Sequence, residues 1–392
     1  MRKFCNITMI VCFAALLFVF PVQTFLQPAE EVSAYENRTL APLPELSLAT
    51  LLDGSFAAGA ERYLTDHIAG RNLILELYVR LNRDILQKPV VNDVYESEEG
   101  SLLARLDYDH FNEEETTAAI EHKLSELAAL DDLVSSYGGK LIFCGVPEQR
   151  RDRYDQYPSY LMPGTETIDL AEQLLFSGLQ EQGITAINMY DVFTSLGGQD
   201  AFFSQVDHHY TFDGARVTYE TIMDTINSLR SEPLTVLRGD DLILHEEEVT
   251  YFGSYNRKIF DLQRVKERLS WGEPIAPIPF TRMDNGYEVA PTVYTPMDGY
   301  ASYGSFMNGD IAETVISTAR GELPDVLVFG DSFTNPVETL LYYSFDEMRS
   351  LDLRYYTQMT LFEYVETHKP DYVVIIRDRM QYAKTAGNGT YR

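Results

Sequence analysis

Hydrophobic positions divide the chain into distinct stretches. Behind Arg2 and Lys3, an apolar run extends from Ile7 to Phe20, and Val22 to Leu26 prolong it past Pro21. The run approaches the roughly 20 residues that a spanning helix needs, and its positive start predicts a cytoplasmic N-terminus with the remainder exported. Residues 1–26 therefore read as a signal anchor, with a cleavable signal peptide as the rival; Val32-Ser33-Ala34 makes a poor cleavage site. Residues 27–55, with Pro42 and Pro44, read as a stalk. From Phe56 to Leu86, Phe56, Tyr63, Leu64, Ile68, Leu73 and Leu77 recur at helical spacing and predict one or two helices. Val91 to Leu106 alternates around Glu99-Gly100 as a hairpin would. A polar-faced helix over Glu113 to Tyr137 completes an N-terminal helical region, residues 56–138.

From Lys140 the pattern changes to short apolar runs alternating with amphipathic ones. Strands are predicted at Lys140–Val146, Ile184–Val192, Asp325–Gly330, Leu351–Tyr356 and Asp371–Arg377. Helices are predicted at Ile168–Gln182, Gly214–Leu229, from Pro336, and at Thr360–His368. This alternation predicts an α/β domain whose parallel sheet is covered on both faces. Residues 234–305, rich in Gly, Pro and aromatics, read as a β- or loop-rich insertion above the sheet.

Composition narrows the function classes. The 392 residues are 45% hydrophobic and carry a net charge of −29, so a sizeable core is possible while nucleic acid and anionic membrane surfaces are repelled. Cys5 and Cys12 lie in the first apolar segment, leaving Cys144 alone and excluding a disulfide framework.

Two motifs carry chemistry. Gly330-Asp331-Ser332 follows an apolar strand and precedes Asn335, Pro336 and Glu338, which match N-cap, first-turn and capping-box positions. Ser332 is thus placed where backbone N–H groups and a helix N-terminus would meet an oxyanion. Thr334 stands where the second glycine of an α/β-hydrolase elbow would be, so that elbow is a poor match. Val206-Asp207-His208-His209-Tyr210 supplies the other half. Serine needs a base, and the base imidazole needs a carboxylate on its second nitrogen. In an extended segment Asp207 and His209 share a side, which makes His209 the base and turns His208 away. A metal site and a purely structural pair are the alternatives; no further ligands at metal spacing accompany the pair, and no cofactor is expected.

Together these motifs resemble the SGNH-hydrolase-like domains of the AlgJ and AlgX alginate O-acetyltransferases, and more closely the bacterial DHHW family. Supporting patterns are Glu36-Asn37-Arg38, Gly253-Ser254-Tyr255, Tyr303-Gly304, Asn308-Gly309 and Asp352-Leu353-Arg354-Tyr355-Tyr356. Tyr210 replaces the family's tryptophan, as a possible pocket wall. The resemblance implies a flavodoxin-like three-layer α/β/α domain over residues 56–392, outside the cytoplasmic membrane. It implies Ser-His-Asp chemistry at Ser332, His209 and Asp207: O-acetyl transfer to a polysaccharide, with a polytopic membrane-bound O-acyltransferase as acetyl supplier. An acetyl esterase with the same residues and a non-catalytic envelope scaffold are the other readings. Asn308 is a candidate oxyanion donor or a plain turn residue. Arg354 is a candidate substrate contact or a partner of Asp352 or Glu347, and His208 is a further substrate candidate. No carbohydrate-binding module such as AlgX carries is expected after Arg392, so substrate capture is expected from the insertion or the N-terminal region.

Overall fold

A computed structural model describes every residue except 1, 29, 106–110, 152 and 163; Leu106, the expected end of the hairpin, lies outside the described residues. The chain divides into two compact units, one of Met1–Glu96 with Tyr255–Gln263 and one of Ser97–Ser254 with Arg264–Arg392.

In the first unit, α1 (Arg2–Leu26) occupies the expected membrane segment. Among the described residues no helix is long and apolar enough to cross a membrane; Asn6, Thr8, Gln23 and Thr24 interrupt the apolar run of α1. The expected stalk has regular structure. Strands β1 (Val32–Ser33) and β2 (Arg38–Thr39) pair antiparallel. They precede α2 (Leu48–Leu52), α3 (Ser55–His67) and α4 (Arg71–Arg80). The Glu36-Asn37-Arg38 pattern is a structural clamp: Arg38 pairs with Asp66 at 2.6 Å and Arg71 with Glu36 at 2.9 Å. Strands β3 (Val90–Val91) and β4 (Val94–Glu96) form an antiparallel pair.

The second unit opens with β5 (Leu102–Ala104) and α5 (Glu113–Ser136), the latter capped by Asn112. Then β6 (Lys140–Val146), α6 (Glu166–Gln182), β7 (Thr185–Asn188), α7 (Met189–Ser195) and α8 (Phe212–Ser228) follow the expected rhythm. The strand β7 is shorter than its apolar run because the Asn188 side chain accepts the Tyr190 N–H and starts α7. Strands β8 (Leu242–Glu246) and β9 (Ser270–Pro274) pair with each other, whereas β10 (Thr281–Asp284) and β11 (Tyr287–Val289) join the main sheet. The remaining elements are β12 (Glu313–Ser317), β13 (Val326–Gly330), α9 (Asn335–Leu341), β14 (Glu347–Leu351), α10 (Leu361–His368) and β15 (Tyr372–Asp378). The strand expected at Leu351–Tyr356 lies earlier, at β14, because the Asp352 carboxylate accepts the Arg354 N–H and turns the chain.

The main sheet runs β11-β10-β12-β14-β13-β15-β6-β7. Its five strands from β14 to β7 are parallel, and β12, β10 and β11 extend it antiparallel, so the sheet is mixed rather than wholly parallel. Alternation divides the strand side chains between two layers. Leu141, Phe143, Leu327, Phe329, Val373 and Ile375 pack in one core with Leu127, Leu175 and Tyr364 of α5, α6 and α10, while α8 and α9 pack together elsewhere in the unit. The carboxyl end of β13, where open α/β sheets place ligands, carries Ser332.

Candidate active site

Gly330 ends β13 at a point with no room for a side chain, since a Cβ would lie 2.5 Å from the Ile376 carbonyl oxygen. Beyond it the chain turns sharply. Thr334 N–H donates to the Asp331 carbonyl at 2.8 Å, and Phe333 N–H donates to the Asp331 side chain at 3.3 Å. The helix α9 starts one residue earlier than its sequence signals suggest: Thr334 is the cap residue, and Asn335 donates instead to Asp310 at 3.1 Å. Glu338 accepts from Ser350 on β14 as well as from the Thr334 side chain at the helix start. Among the described residues the Ser332 N–H has no hydrogen-bond acceptor, which leaves it available to a developing oxyanion.

The Asp207–His209 segment is folded, not extended. Ser204 Oγ accepts the N–H groups of Val206 and Asp207 at 3.1 and 2.9 Å, and Glu267 accepts from Ser204 Oγ and Gln205 N–H at 2.8 Å each. This bend brings both histidine rings to Asp207, with centroids 3.7 Å apart. His208 is therefore not turned away as an extended segment would require. Gly253 lets a second segment pass against the bend, because a Cβ there would meet the Val206 carbonyl oxygen at 2.6 Å. That segment contributes Tyr251 and Ser254.

Asp207 is buried and fully engaged. Its Oδ1 accepts from His208 N–H at 2.6 Å, Ser254 Oγ at 2.7 Å and His209 Nδ1 at 3.1 Å, and its Oδ2 accepts from Tyr251 OH at 2.7 Å. A carboxylate only accepts, so His209 carries its proton on Nδ1. His209 Nε2 then accepts from Ser332 Oγ at 2.7 Å. Tyr303 stacks on the His209 ring at 3.7 Å and 6°, fixing its plane. Burial alone would raise the Asp207 carboxyl, but His209 and His208 outweigh it and hold it well below the usual carboxylate range. Burial, followed by the neighbouring His208, pushes His209 below 6.5, so the ring is a neutral base near pH 7.

Ser332 opens onto a pocket of about 150 Å³, lined also by His208, Asp331, Arg354, Arg377 and Asp378. Arg354 forms the expected pair with Asp352 at 2.6 Å and a further one with Asp310 at 2.8 Å, while its side chain borders the pocket. Tyr210 does not wall this pocket. It is buried behind Phe333, whose carbonyl oxygen accepts its hydroxyl, and so ties the serine turn to the histidine segment. Asn308 is exposed in a left-handed turn with φ of 61° and does not line the pocket, so the structure gives it a turn geometry rather than that of an oxyanion donor. Asp207, His208 and His209 present ligand atoms within 4.8 Å of one another, but both Asp207 oxygens and His209 Nε2 already hold hydrogen bonds, which a cation would have to break. Cys144 is buried in β6, where desolvation raises its thiol and keeps it inert.

Sequence reasoning missed Tyr251 and Glu267, which hold Asp207 and its bend. The Gly253-Ser254 pair was the only local signal of this close approach.

Fold and geometry together define an SGNH-hydrolase-like domain with a Ser-His-Asp arrangement. Residues 106–269 match the family described as the SGNH hydrolase-like domain of the acetyltransferase AlgX; the match includes Asp207 and His209 and stops short of Ser332. No curated protein matches the chain in sequence. Among solved structures, PatB1 of Bacillus cereus is 18% identical with a TM-score of 0.62, covering 76% of this chain and 99% of that one. The same protein has also been solved with a sulfonyl adduct. A DHHW family protein from Eubacterium siraeum is 15% identical with a TM-score of 0.53, covering 74% of this chain and 94% of that one. The chain thus has the α/β fold of AlgX-type and DHHW proteins.

Proposed function

We propose that this protein is an extracytoplasmic O-acetyltransferase that modifies a cell-surface or secreted polysaccharide through an acetyl-serine at Ser332. The observation that carries the reading is the continuous chain from Ser332 Oγ through His209 to the buried Asp207, opening on a pocket. As Ser332 Oγ attacks the acetyl carbonyl, His209 Nε2 takes its proton, and Asp207 stabilises the imidazolium. The Ser332 N–H receives the oxyanion. His209 then protonates the leaving group, and the acetyl group remains on Ser332. A sugar hydroxyl next gives its proton to His209 and attacks the acetyl-serine; collapse returns the proton to Ser332 Oγ and releases the acetylated sugar.

The AlgX-type match supports acetyl transfer as the class of chemistry. An exported enzyme meets no cytoplasmic acetyl donor, so a polytopic membrane-bound O-acyltransferase is proposed as the supplier, with the N-terminal segment keeping the protein near it. An esterase would use the same three residues and remove acetate instead.

The test is Ser332→Ala, assayed by p-nitrophenyl acetate turnover and by labelling with a sulfonyl fluoride. Both signals should disappear in a folded variant. Full turnover in folded Ser332→Ala would refute the covalent route. Glycan-bound acetate in cells should fall with this variant; a rise would identify the esterase.

A further inference from the structure

Arg377 breaks the pattern of its strand. Alternation along β15 puts it on the same side as Val373 and Ile375, which belong to the apolar core. A charged side chain is thus buried where the strand otherwise carries aliphatic ones, and it needs partners there. Those it has are distant. The guanidinium lies 3.6 Å from the Asp331 carboxylate and 3.5 Å from the Gln381 carbonyl oxygen, longer than ordinary hydrogen bonds, and no other acceptor meets it among the described residues. Arg379, two residues on, shows the contrast: it pairs with Glu148 at 3.1 Å, with Glu172 at 2.8 Å and with Asp169. The N–H groups that Arg377 leaves over belong to a residue lining the Ser332 pocket.

That pocket lacks a second oxyanion donor. The Ser332 N–H is one, and Asn308 does not line the pocket. Asn388 lines it, but its amide N–H groups go to the Gly330 carbonyl at 2.6 Å and to Asp352 Oδ1 at 2.9 Å. The charge of Arg354 is matched by Asp352 and Asp310. Arg377 is the buried cation with donors to give.

The charges around it set what it can receive. Asp378 is pushed up to about 6, by burial first and then by Asp331, so it is mainly ionised at neutral pH. Asp310, Asp331, Asp352 and Asp378 then stand against Arg354 and Arg377, and a ligand bringing a full negative charge is disfavoured. A neutral carbonyl oxygen that gains charge only in the transition state suits this balance, since its bond to the guanidinium strengthens as the reaction proceeds.

We propose that Arg377 is a catalytic residue of this site, donating a hydrogen bond to the acyl carbonyl oxygen so that it and the Ser332 N–H together hold the oxyanion. The proposal rests on the acetyl-serine reading of Ser332 and adds the second donor. As the bond from Ser332 Oγ to the acyl carbon forms, the carbonyl π pair moves onto that oxygen. It returns when the bond to the leaving group breaks. Arg377 keeps its protons throughout, because a guanidinium does not titrate in this range.

The test uses the full chain and compares p-nitrophenyl acetate with its thionoester, whose developing sulfur anion is a much poorer hydrogen-bond acceptor. Arg377→Ala should slow the acetyl-enzyme burst with the oxygen ester by roughly a hundred- to a thousandfold at little change in KM. The thionoester rate should fall several times less. Thermal melts establish that the variant is folded. Should it not fold, Arg377→Lys, which keeps the charge without the fork, should show a smaller loss with the same bias against the oxygen ester. Equal losses on both esters would make Arg377 a structural support and overturn the proposal. A raised KM at unchanged burst rate would do the same, as would wild-type rates in either folded variant. A wild-type protein without a Ser332-dependent burst would instead overturn the acetyl-serine reading beneath it.

Discussion

Replacing Asp207 by Asn separates the two services a triad carboxylate provides, orientation and charge. Among the described residues, Asp207 Oδ1 accepts from His208, Ser254 and His209, while Oδ2 accepts the Tyr251 hydroxyl. An asparagine amide therefore has one tolerable orientation: its oxygen takes the crowded side, and its NH₂ meets Tyr251, whose hydroxyl rotates to accept. The reverse orientation would set NH₂ against three donors. His209 thus keeps its Nδ1–H tautomer, and only the negative charge is lost. With charge centres about 4–5 Å apart and an effective dielectric of about 20, that charge is worth roughly 3–4 kcal/mol to the imidazolium formed in the transition state. The expected loss in kcat/KM for p-nitrophenyl acetate is about two to three orders of magnitude. An enzyme whose asparagine turned the tautomer would lose about four. The folded state should stay close to wild type in thermal melts, whereas Asp207→Ala strands four donors and should lose several kcal/mol. Wild-type activity in Asp207→Asn would show that the charge is idle, and a loss as deep as that of Ser332→Ala would refute the orientation argument.

Two further expectations follow from buried groups. Because His209 must be neutral to act and is held below 6.5, ester turnover should rise with pH along a limb whose midpoint lies below 6.5, and His208→Ala should move it upward by removing a neighbouring charge; a wild-type midpoint above 6.5 would contradict this. Burial pushes the Glu338 carboxyl from 4.5 up to about 7, so folding favours its protonated form, and stability falls as pH rises through that window by roughly 3 kcal/mol. Glu338→Gln keeps an acceptor for Ser350 and should be more stable than wild type at about pH 8 but not at about pH 4, measured by urea unfolding; the same difference at both pH values would show that ionisation is not its cause.

The sequence by itself determined the α/β rhythm, because strands buried on both faces must be apolar throughout and their helices must alternate: β6, β13, β15, α6, α8 and α10 lie within a few residues of their apolar patterns. It also singled out Asp207, His209 and Ser332, since an Asp-His-His triplet and a serine at a strand–helix junction are local features. Antiparallel β10 and β11 were not legible, because sheet membership depends on pairing with β12, which lies some thirty residues away along the chain. The clamp on Asp207 was not legible either. Tyr251 is forty-four residues from Asp207, and no local pattern marks a tyrosine whose hydroxyl will meet a carboxylate. The extended-segment rule placed His208 on the wrong side because the Ser204 hydroxyl, held by Glu267, bends the backbone. What only the tertiary structure decided was which distant groups complete each hydrogen-bond shell, and those groups set the charge of each histidine.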